Sequence, residues 1–392
     1  MLLNNRFRGQ DKLGSAVRYE NPMSSGWFNR YVGKKIYIEP QPLSYLQSLN
    51  GYDQHQICKG IEELASVSSP MDGFVNKQNP AFYKAKEATS TIFNFFIKYT
   101  MMSESIVVSS IALDSVALAG KPGGVGEQQS LHLIEKNKGG RAFSPISSLD
   151  DIDSLVTSWN RLGPVTKVKS KHAAVNGMLN DLEKATWLMG VHTEAAFSKE
   201  QVEKYTLFHN PTESPRSDFF ESIKDNLGFT TPLAEHLAAI LLDIQLTGEP
   251  VKWVVHSQGG IIFKQAVKHH LKQFPGQSLS KNSVVFHSGG HNKTETDKLL
   301  SQARVKKEAA DKDNPFDLVP NLAGRNDLSA ASIKRSVGFW NKVKGTNTSS
   351  PVESPHTLPF LSLEAYHGFL VMAGDNRSAE KVQKYMDKLT TK

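Results

Sequence analysis

Short apolar runs alternate with helical patterns through the second half of the chain. One such pattern places Leu233, Leu237, Ile240, Leu241 and Ile244 at offsets 0, 4, 7, 8 and 11, which is one face of a helix. Nearly continuous apolar runs between helices are typical of parallel strands buried on both faces. The candidate strands are HAAVNG (172–177), EKYTLFHNP (203–211), VKWVVHS (251–257), SVVFHSGG (283–290) and LPFLSLEA (358–365). The alternation predicts an α/β fold with a mainly parallel sheet and helices on both faces.

The pattern before residue 160 is less regular, and we expect a separate N-terminal region that is mostly helical. The aromatic segment IFNFFIKY (92–99) and the apolar segment at 105–120 are predicted to be core, because the latter is short for a bilayer span and contains Asp114. Gly-rich stretches at 120–129 and 136–148 indicate loops or a hinge. The predicted domains are therefore 1–160, of unknown role (a lid, a docking element or a lipid-surface element), and 161–392.

Composition excludes several classes of protein. The chain has 392 residues, 39% hydrophobic and 22% charged, which is typical of a globular protein with a sizeable core. Its formal charge of +7 is mild and comes with no dense basic run, so nucleic acid is not expected as a partner, whereas contact with an anionic membrane surface is compatible with it. A single cysteine, Cys58, excludes intrachain disulfides and cysteine-based zinc sites.

No cofactor is predicted. The chain has no G-x-x-x-x-G-K-[ST] loop for phosphates, and no histidine spacing such as H-E-x-x-H for a metal.

The first residues, MLLNNRFRGQDK, turn polar too soon to form the apolar segment of a secretory signal. Synthesis and retention in the cytoplasm are therefore expected. Export by an apparatus that needs no such signal stays open, as does an inhibitory or delivery partner.

The most informative stretch is VVHSQGG at 254–260, where a buried strand ends on a serine followed closely by two glycines. A serine at a sharp strand-to-helix turn projects its hydroxyl at the carboxyl edge of the sheet, where ligands approach open α/β folds. Gly259 and Gly260 remove the Cβ atoms that would collide as the helix turns back. The amide of Gln258 lies at the amino end of that helix and can serve as one donor of an oxyanion hole.

This stretch resembles the nucleophile elbow of the α/β-hydrolase superfamily, usually G-x-S-x-G, in the HSQGG form of bacterial lipase-like serine esterases. Val255 stands where the first glycine is usual. VNGMLNDLEKA and TLFHNPT resemble the strand-loop pair that precedes the elbow in a bacterial lipase-like subset, so the resemblance covers roughly 165–375. It implies a catalytic triad in the chain order Ser, Asp or Glu, His, with Ser257 as nucleophile.

The acid and the base are sought after the elbow. Asp317, in NPFDLVP, is similar to the family loop that carries the acid, and Asp313 and Asp327 are rivals. Two histidines follow that loop. We favour His367, just after the last predicted strand, over His356, whose proline- and serine-rich surroundings indicate an exposed loop.

The remaining site residues are expected around this triad. The loop after HAAVNG should supply the second oxyanion donor, for which we choose the Met178 amide, with Gly177 allowing the turn. His256 is expected in the elbow, packed or touching substrate. His209 and Asn210 could line the pocket, although structural hydrogen bonding is slightly favoured for both.

The resemblance implies a hydrolase of carboxylic esters that works through an acyl-enzyme, with an ester or lipid substrate, and thus a lipase or phospholipase. A secreted lipase effector is one form of this hypothesis and an ordinary cytosolic esterase is another. The alternative from a different class is a non-catalytic scaffold or interaction protein that keeps a hydrolase-like sheet.

Overall fold

The computed structural model describes residues 12–19, 34–66, 86–102, 104–121, 124, 126–140, 154–178, 180–211, 231–344, 352–358 and 362–391. The chain forms two compact units, Met1–Leu118 and Ala119–Lys392. The fold is mixed α/β, with one mixed sheet in each unit.

The first unit is built on a six-stranded sheet in the order β1-β2-β3-β6-β5-β4. Its strands are β1 (Lys12–Leu13), β2 (Ala16–Tyr19), β3 (Lys35–Ile38), β4 (Lys86–Ile92), β5 (Phe95–Met101) and β6 (Ser105–Leu113), and its described helices are α1 (Pro40–Ser48) and α2 (Gly51–Ala65). Only β3 and β6 pair in parallel among these strands. Ile57, Ile61 and Ala65 of α2 pack with Phe95 and Ile97 of β5 in one core.

The predicted core segments at 92–99 and 105–120 therefore do contribute strands and core residues. The prediction that the N-terminal region is mostly helical is wrong, because its described part is dominated by strands. In β5, buried and exposed residues alternate with the period of a strand: Phe95, Ile97 and Tyr99 are buried, whereas Phe96 is exposed.

The second unit contains a seven-stranded sheet in the order β13-β12-β11-β9-β10-β7-β8. The strands are β7 (Ser130–Lys136), β8 (Trp159–Val165), β9 (His172–Val175), β10 (Lys204–His209), β11 (Val251–His256), β12 (Asn282–His287) and β13 (Lys306–Lys307). Strands β9 to β13 pair in parallel, and β7 is antiparallel to both β10 and β8. The sheet is thus mainly parallel with one reversed strand.

Helices connect the parallel strands in order along the chain. Strands β9 to β13 are linked by α3 (Leu182–Ala196), α4 (Pro232–Thr247), α5 (Gln258–Gln273) and α6 (Lys293–Ala303). A π-helix (Val319–Ala323) and the helices α7 (Ala330–Val337), α8 (Trp340–Lys344), α9 (Leu363–Met372) and α10 (Asn376–Thr390) follow.

Two hydrophobic cores cover the two faces of this sheet. Neighbouring residues of one strand enter different cores: Trp253 and Val255 pack with α4 and α5, whereas Val254 packs with α3. Since successive side chains of a strand point to opposite faces, the sheet is buried on both sides. This layering explains the continuous apolar runs in the sequence.

Two boundaries differ from the sequence predictions. The compact units divide after Leu118, upstream of the boundary predicted at 160, because β7 and β8 belong to the second sheet. The predicted last strand at 358–365 is wrong at its described end, where Ser362 caps α9 by accepting a hydrogen bond from the Ala365 amide at 2.9 Å. Residues 359–361 lie outside the described residues.

Among the described residues, no helix is long and apolar enough to cross a bilayer.

Candidate active site

Ser257 stands at the junction of β11 and α5, at the carboxyl edge of the sheet. Its backbone has φ 57° and ψ −124°, a left-handed conformation that costs a residue with a side chain on the order of 1–3 kcal/mol. A serine at a helix N-cap commonly accepts a hydrogen bond from the first-turn amides, but Ser257 makes no such bond. Its hydroxyl is therefore left for another partner.

The strained turn is held by the backbone around it. The Ser257 carbonyl accepts hydrogen bonds from the amides of Gly260 at 3.1 Å and Gly290 at 3.0 Å, and the Ser257 amide donates to the His287 carbonyl at 3.3 Å. A Cβ at Gly259 would lie 2.5 Å from the Val175 carbonyl oxygen, so only glycine allows α5 to start this close to β9. The expectation that this turn demands small neighbours is confirmed at Gly259.

Ser257 and Asp317 lie on either side of one imidazole, that of His356. The Ser257 Oγ is 2.8 Å from Nε2 of His356, and the Asp317 Oδ2 is 2.7 Å from its Nδ1. A carboxylate only accepts hydrogen bonds, so Nδ1 carries the proton and, in the neutral ring, Nε2 accepts from the serine hydroxyl. The three residues thus form a continuous hydrogen-bonded chain that can take a proton from Ser257.

The structure places His356, and not His367, at this position, which corrects the predicted base. His367 lies half-buried within α9, whereas His356 lies in the loop 352–358 ahead of that helix. The preference for His367 depends on a last strand predicted at 358–365, and the described end of that segment is a helix instead. The loop of His356 is also not exposed, since only 7% of His356 is accessible.

Asp317 is held in place by its own turn. Its side chain is fully buried, and Oδ1 accepts a hydrogen bond from the Val319 amide at 2.9 Å while Oδ2 faces His356. The rival Asp313 is paired with Lys293, and the rival Asp327 accepts from the Ser329 amide at 3.0 Å on the surface. Of the three carboxylates, Asp317 is the one that contacts the imidazole.

The loop after β9 runs directly against Ser257. A Cβ at Gly177 would meet the Ser257 Cβ at 2.5 Å and its Oγ at 3.0 Å. The Asn176 side chain fastens this loop to the end of β10 by accepting from the Asn210 amide at 2.8 Å and donating to the Asn210 carbonyl at 2.9 Å. Met178 follows in the same loop, and the Gln258 amide begins α5 directly after Ser257.

Asn210 is a member of this site whose part the sequence left undecided. Its side-chain amide donates to the Gln258 Oε1 at 2.7 Å, which joins the end of β10 to the first residue of α5. The sequence signal for Asn210 is its position in HNP, directly after a predicted strand, where polar residues can face the carboxyl edge of the sheet.

His209, expected beside the pocket, has a structural partner. Its Nε2 lies 2.6 Å from the Glu127 Oε2, and Glu127 also accepts from the Leu182 amide. Through Glu127, the segment before β7 is thus joined to both the end of β10 and the start of α3. The structural alternative is therefore favoured for His209.

His256 is packed in the elbow, behind the triad. It is 2% exposed, and burial, followed by the charge of His356, lowers its pKa well below the ordinary histidine value. Its Nε2 lies 2.8 Å from the His356 carbonyl oxygen. His256 therefore contacts the backbone of His356.

A cavity of about 780 Å³ lies at the opposite, amino edge of the parallel strands, lined in part by Lys252, Lys281 and Lys306. The triad does not line it. Lys281 Nζ donates to the Gly248 carbonyl at the end of α4, as expected of a cation at a helix carboxyl terminus. The triad edge is therefore the stronger candidate site.

No family model, no curated protein and no solved structure matches the chain. Within the part of the chain that the structure describes, no group of three or more His, Cys, Asp or Glu side chains is arranged to hold a metal ion.

Proposed function

We propose that the chain is a serine hydrolase of carboxylic esters, with the α/β-hydrolase fold and a Ser257–His356–Asp317 triad. The observation that carries the proposal is the pair of hydrogen bonds at 2.8 Å and 2.7 Å that join serine, imidazole and carboxylate. The left-handed serine between a parallel strand and a helix supports the same proposal. The chain order Ser, Asp, His is that of the superfamily.

In the proposed reaction, the Ser257 Oγ attacks the ester carbonyl carbon as its proton moves to Nε2 of His356. Asp317 stabilises the resulting imidazolium, and the amides of Gln258 and Met178 donate to the tetrahedral oxyanion. The alcohol then leaves with the proton from His356, which gives an acyl-enzyme. Water attacks the acyl-enzyme, passes a proton to Nε2, and the carboxylic acid is released from Ser257 as the hydroxyl regains that proton.

Lipid esters are the proposed substrates, so the protein would be a lipase or phospholipase. This rests on the resemblance of the elbow to bacterial lipase-like esterases and on the net charge of +7, which favours anionic surfaces. Cytoplasmic synthesis and export as an effector belong to the same proposal.

A fluorophosphonate probe, which reacts covalently with activated serines, tests the proposal. We expect labelling of the wild-type protein and none of Ser257→Ala, with nearly unchanged melting temperatures. Ser288→Ala is the matched control, because Ser288 is also buried, follows the adjacent strand β12 and has a positive φ of 44°. Its labelling should equal wild type.

Absence of labelling in folded wild-type protein would instead favour a non-catalytic scaffold. Where labelling occurs, lipid analysis after expression of wild type and Ser257→Ala in a bacterial host would identify the head group and the acyl chain.

A further inference from the structure

The loop that carries His356 is joined to the nucleophile strand by a side chain. The Nε2 of His256, the last residue of β11, lies 2.8 Å from the carbonyl oxygen of His356. Because a carbonyl only accepts hydrogen bonds, Nε2 of His256 must carry the proton. The residue before the serine thus holds the backbone of the base.

The His256 ring also packs against the His356 ring. The two ring centroids are 4.8 Å apart with an interplanar angle of 36°. His256 also contacts His192 of α3, with ring centroids 4.5 Å apart and an interplanar angle of 39°. His192 in turn lies 3.0 Å from His287 of β12, between the two Nδ1 atoms. The His256 ring is therefore in contact with His356 and with His192, and His192 is itself held against β12.

Burial and the charges around His256 keep it neutral. Burial is the largest cause that lowers its pKa, followed by the charge of His356, and His287 and Lys184 lower it further. Burial, with the charges of His256, His287 and His356, likewise lowers the pKa of His192 well below 6.5. An uncharged ring beside the base adds no repulsion when His356 takes the serine proton.

We propose that His256 is a positioning residue: its Nε2–H and its ring fix the backbone and imidazole of His356, so that Nε2 of His356 meets the Ser257 hydroxyl. The inference rests on the proposed function, and it assigns a task to the histidine that precedes the serine. His256 itself does not touch the reacting atoms in this proposal.

The test compares His256→Phe, which keeps a flat ring but loses the donor, with His256→Gln, whose side-chain amide can still donate to the carbonyl. On a soluble ester we expect His256→Phe to lower kcat by about 10- to 100-fold, with KM changed by less than about 2-fold, because a small misplacement of a catalytic group costs rate rather than binding. His256→Gln should restore most of kcat.

His270→Phe is the control for the mere loss of a buried histidine. His270 is 1% exposed and its Nε2 lies 2.9 Å from the Gln277 carbonyl, at the far end of α5 from Ser257. This variant should lower the melting temperature while leaving kcat and KM at the wild-type values. Equal kcat in His256→Phe and wild type, with wild type active, would overturn the positioning role.

A spectroscopic signal separates this proposal from the proposed function. The proton on Nδ1 of His356, which is donated to Asp317, should give a strongly downfield proton resonance whether or not an ester is turned over. We expect the resonance in wild type and His256→Gln, and its loss in His256→Phe. If wild type neither reacts with the probe nor cleaves esters, the proposed function fails, and persistence of this resonance in His256→Phe would overturn the positioning role separately.

Should His256→Phe not fold, nitrogen NMR of the wild-type protein gives the decision. A neutral His256 protonated on Nε2 from pH 5 to 9 is the expected result. A ring protonated on Nδ1 alone, or charged at pH 6, would overturn the proposal.

Discussion

At the scale of single residues, the site depends on a serine in an unfavourable backbone conformation and on the space that glycines leave around it. The cost of φ 57° at Ser257, about 1–3 kcal/mol, must be offset by the hydrogen bonds and packing around the turn. Strain of this kind persists only where the surroundings determine it, so small changes next to Ser257 should affect the chemistry before they affect the fold.

Replacement of Gly177 tests this closeness. In Gly177→Ala the new methyl group would lie 2.5 Å from the Ser257 Cβ, so the loop or the nucleophile must shift. We expect a loss of about 100-fold in kcat/KM with a modest fall in melting temperature. Gly368→Ala is the control: nothing lies within 4 Å of its Cβ position in α9, and activity should not change. Wild-type activity in Gly177→Ala would contradict the close approach of Gly177 to Ser257.

The identity of the base is the second test at this scale. His356→Ala and Ser257→Ala should each lose activity on the order of 10⁶-fold, and the double variant should lose no more, because a serine and its base act as a unit. Asp317→Asn should lose on the order of 10⁴-fold. His367→Ala, half-buried on α9, should be close to wild type in steady-state kinetics. The reverse result for the two histidines would reassign the base.

At the scale of elements, strands β9 to β12 and helices α4 and α5 could be predicted from the sequence, because the strands are continuous apolar runs and the helices repeat apolar residues at helical spacing. Leu237 and Ile240 repeat at helical spacing, and Trp253 to Val255 form a continuous apolar run in a buried strand. Ser257 is indicated by the turn at the end of that strand, and Asp317 by the resemblance of NPFDLVP to the loop that carries the acid in the family. These residues are placed by their immediate neighbours in sequence.

The sequence predictions that were wrong concern features that depend on contacts between distant parts of the chain. His356 is selected by Ser257, 99 residues earlier, and by Asp317, 39 residues earlier, and its own loop shows neither partner. Strand β7 joins the second sheet through β10, which no local pattern indicates. A short apolar run such as 358–365 is ambiguous between strand and helix, and the Ser362 cap decides for helix at its described end.

The place of β7 and β8 gives a prediction about truncation. Removal of residues 1–160 would delete β7, cut β8 and leave β10 as an unpaired edge. It would also remove Trp159, whose ring packs 5.3 Å from that of Tyr205. We expect residues 161–392 to aggregate and residues 119–392 to unfold cooperatively in urea, as followed by circular dichroism. A soluble, cooperatively folded 161–392 fragment would contradict this role of β7.

At the scale of the whole molecule, several histidines are buried with a lowered pKa, which makes stability depend on pH. Burial is the largest cause at His132 and His287, and it lowers the pKa of each to about 3; His192 and His256 are also lowered. In the unfolded chain these groups titrate near 6.5. Below that pH the unfolded state binds more protons than the folded state, so acid favours unfolding.

We therefore expect the free energy of unfolding to fall as the pH drops from 7 to 5, with a slope that approaches about 1.4 kcal/mol per pH unit for each such histidine. Urea denaturation at several pH values measures this slope. His132 lies in β7, outside the triad, and His132→Leu should reduce this slope by the contribution of one histidine. A stability that is constant between pH 7 and 5 would contradict the neutral state of these rings.

The position of β9 in the second sheet also has a kinetic consequence. Strand β9 pairs with β10 on one side and β11 on the other, and both come later in the chain, whereas β7 and β8 come earlier and join only through β10. Forming such distant pairs carries a loop-closure cost, which slows folding. The β7–β8 pair has no place to dock until β10 is in position, so the sheet should assemble outward from β9, and the earliest strands of this unit in the chain should be the last to gain protection from hydrogen exchange.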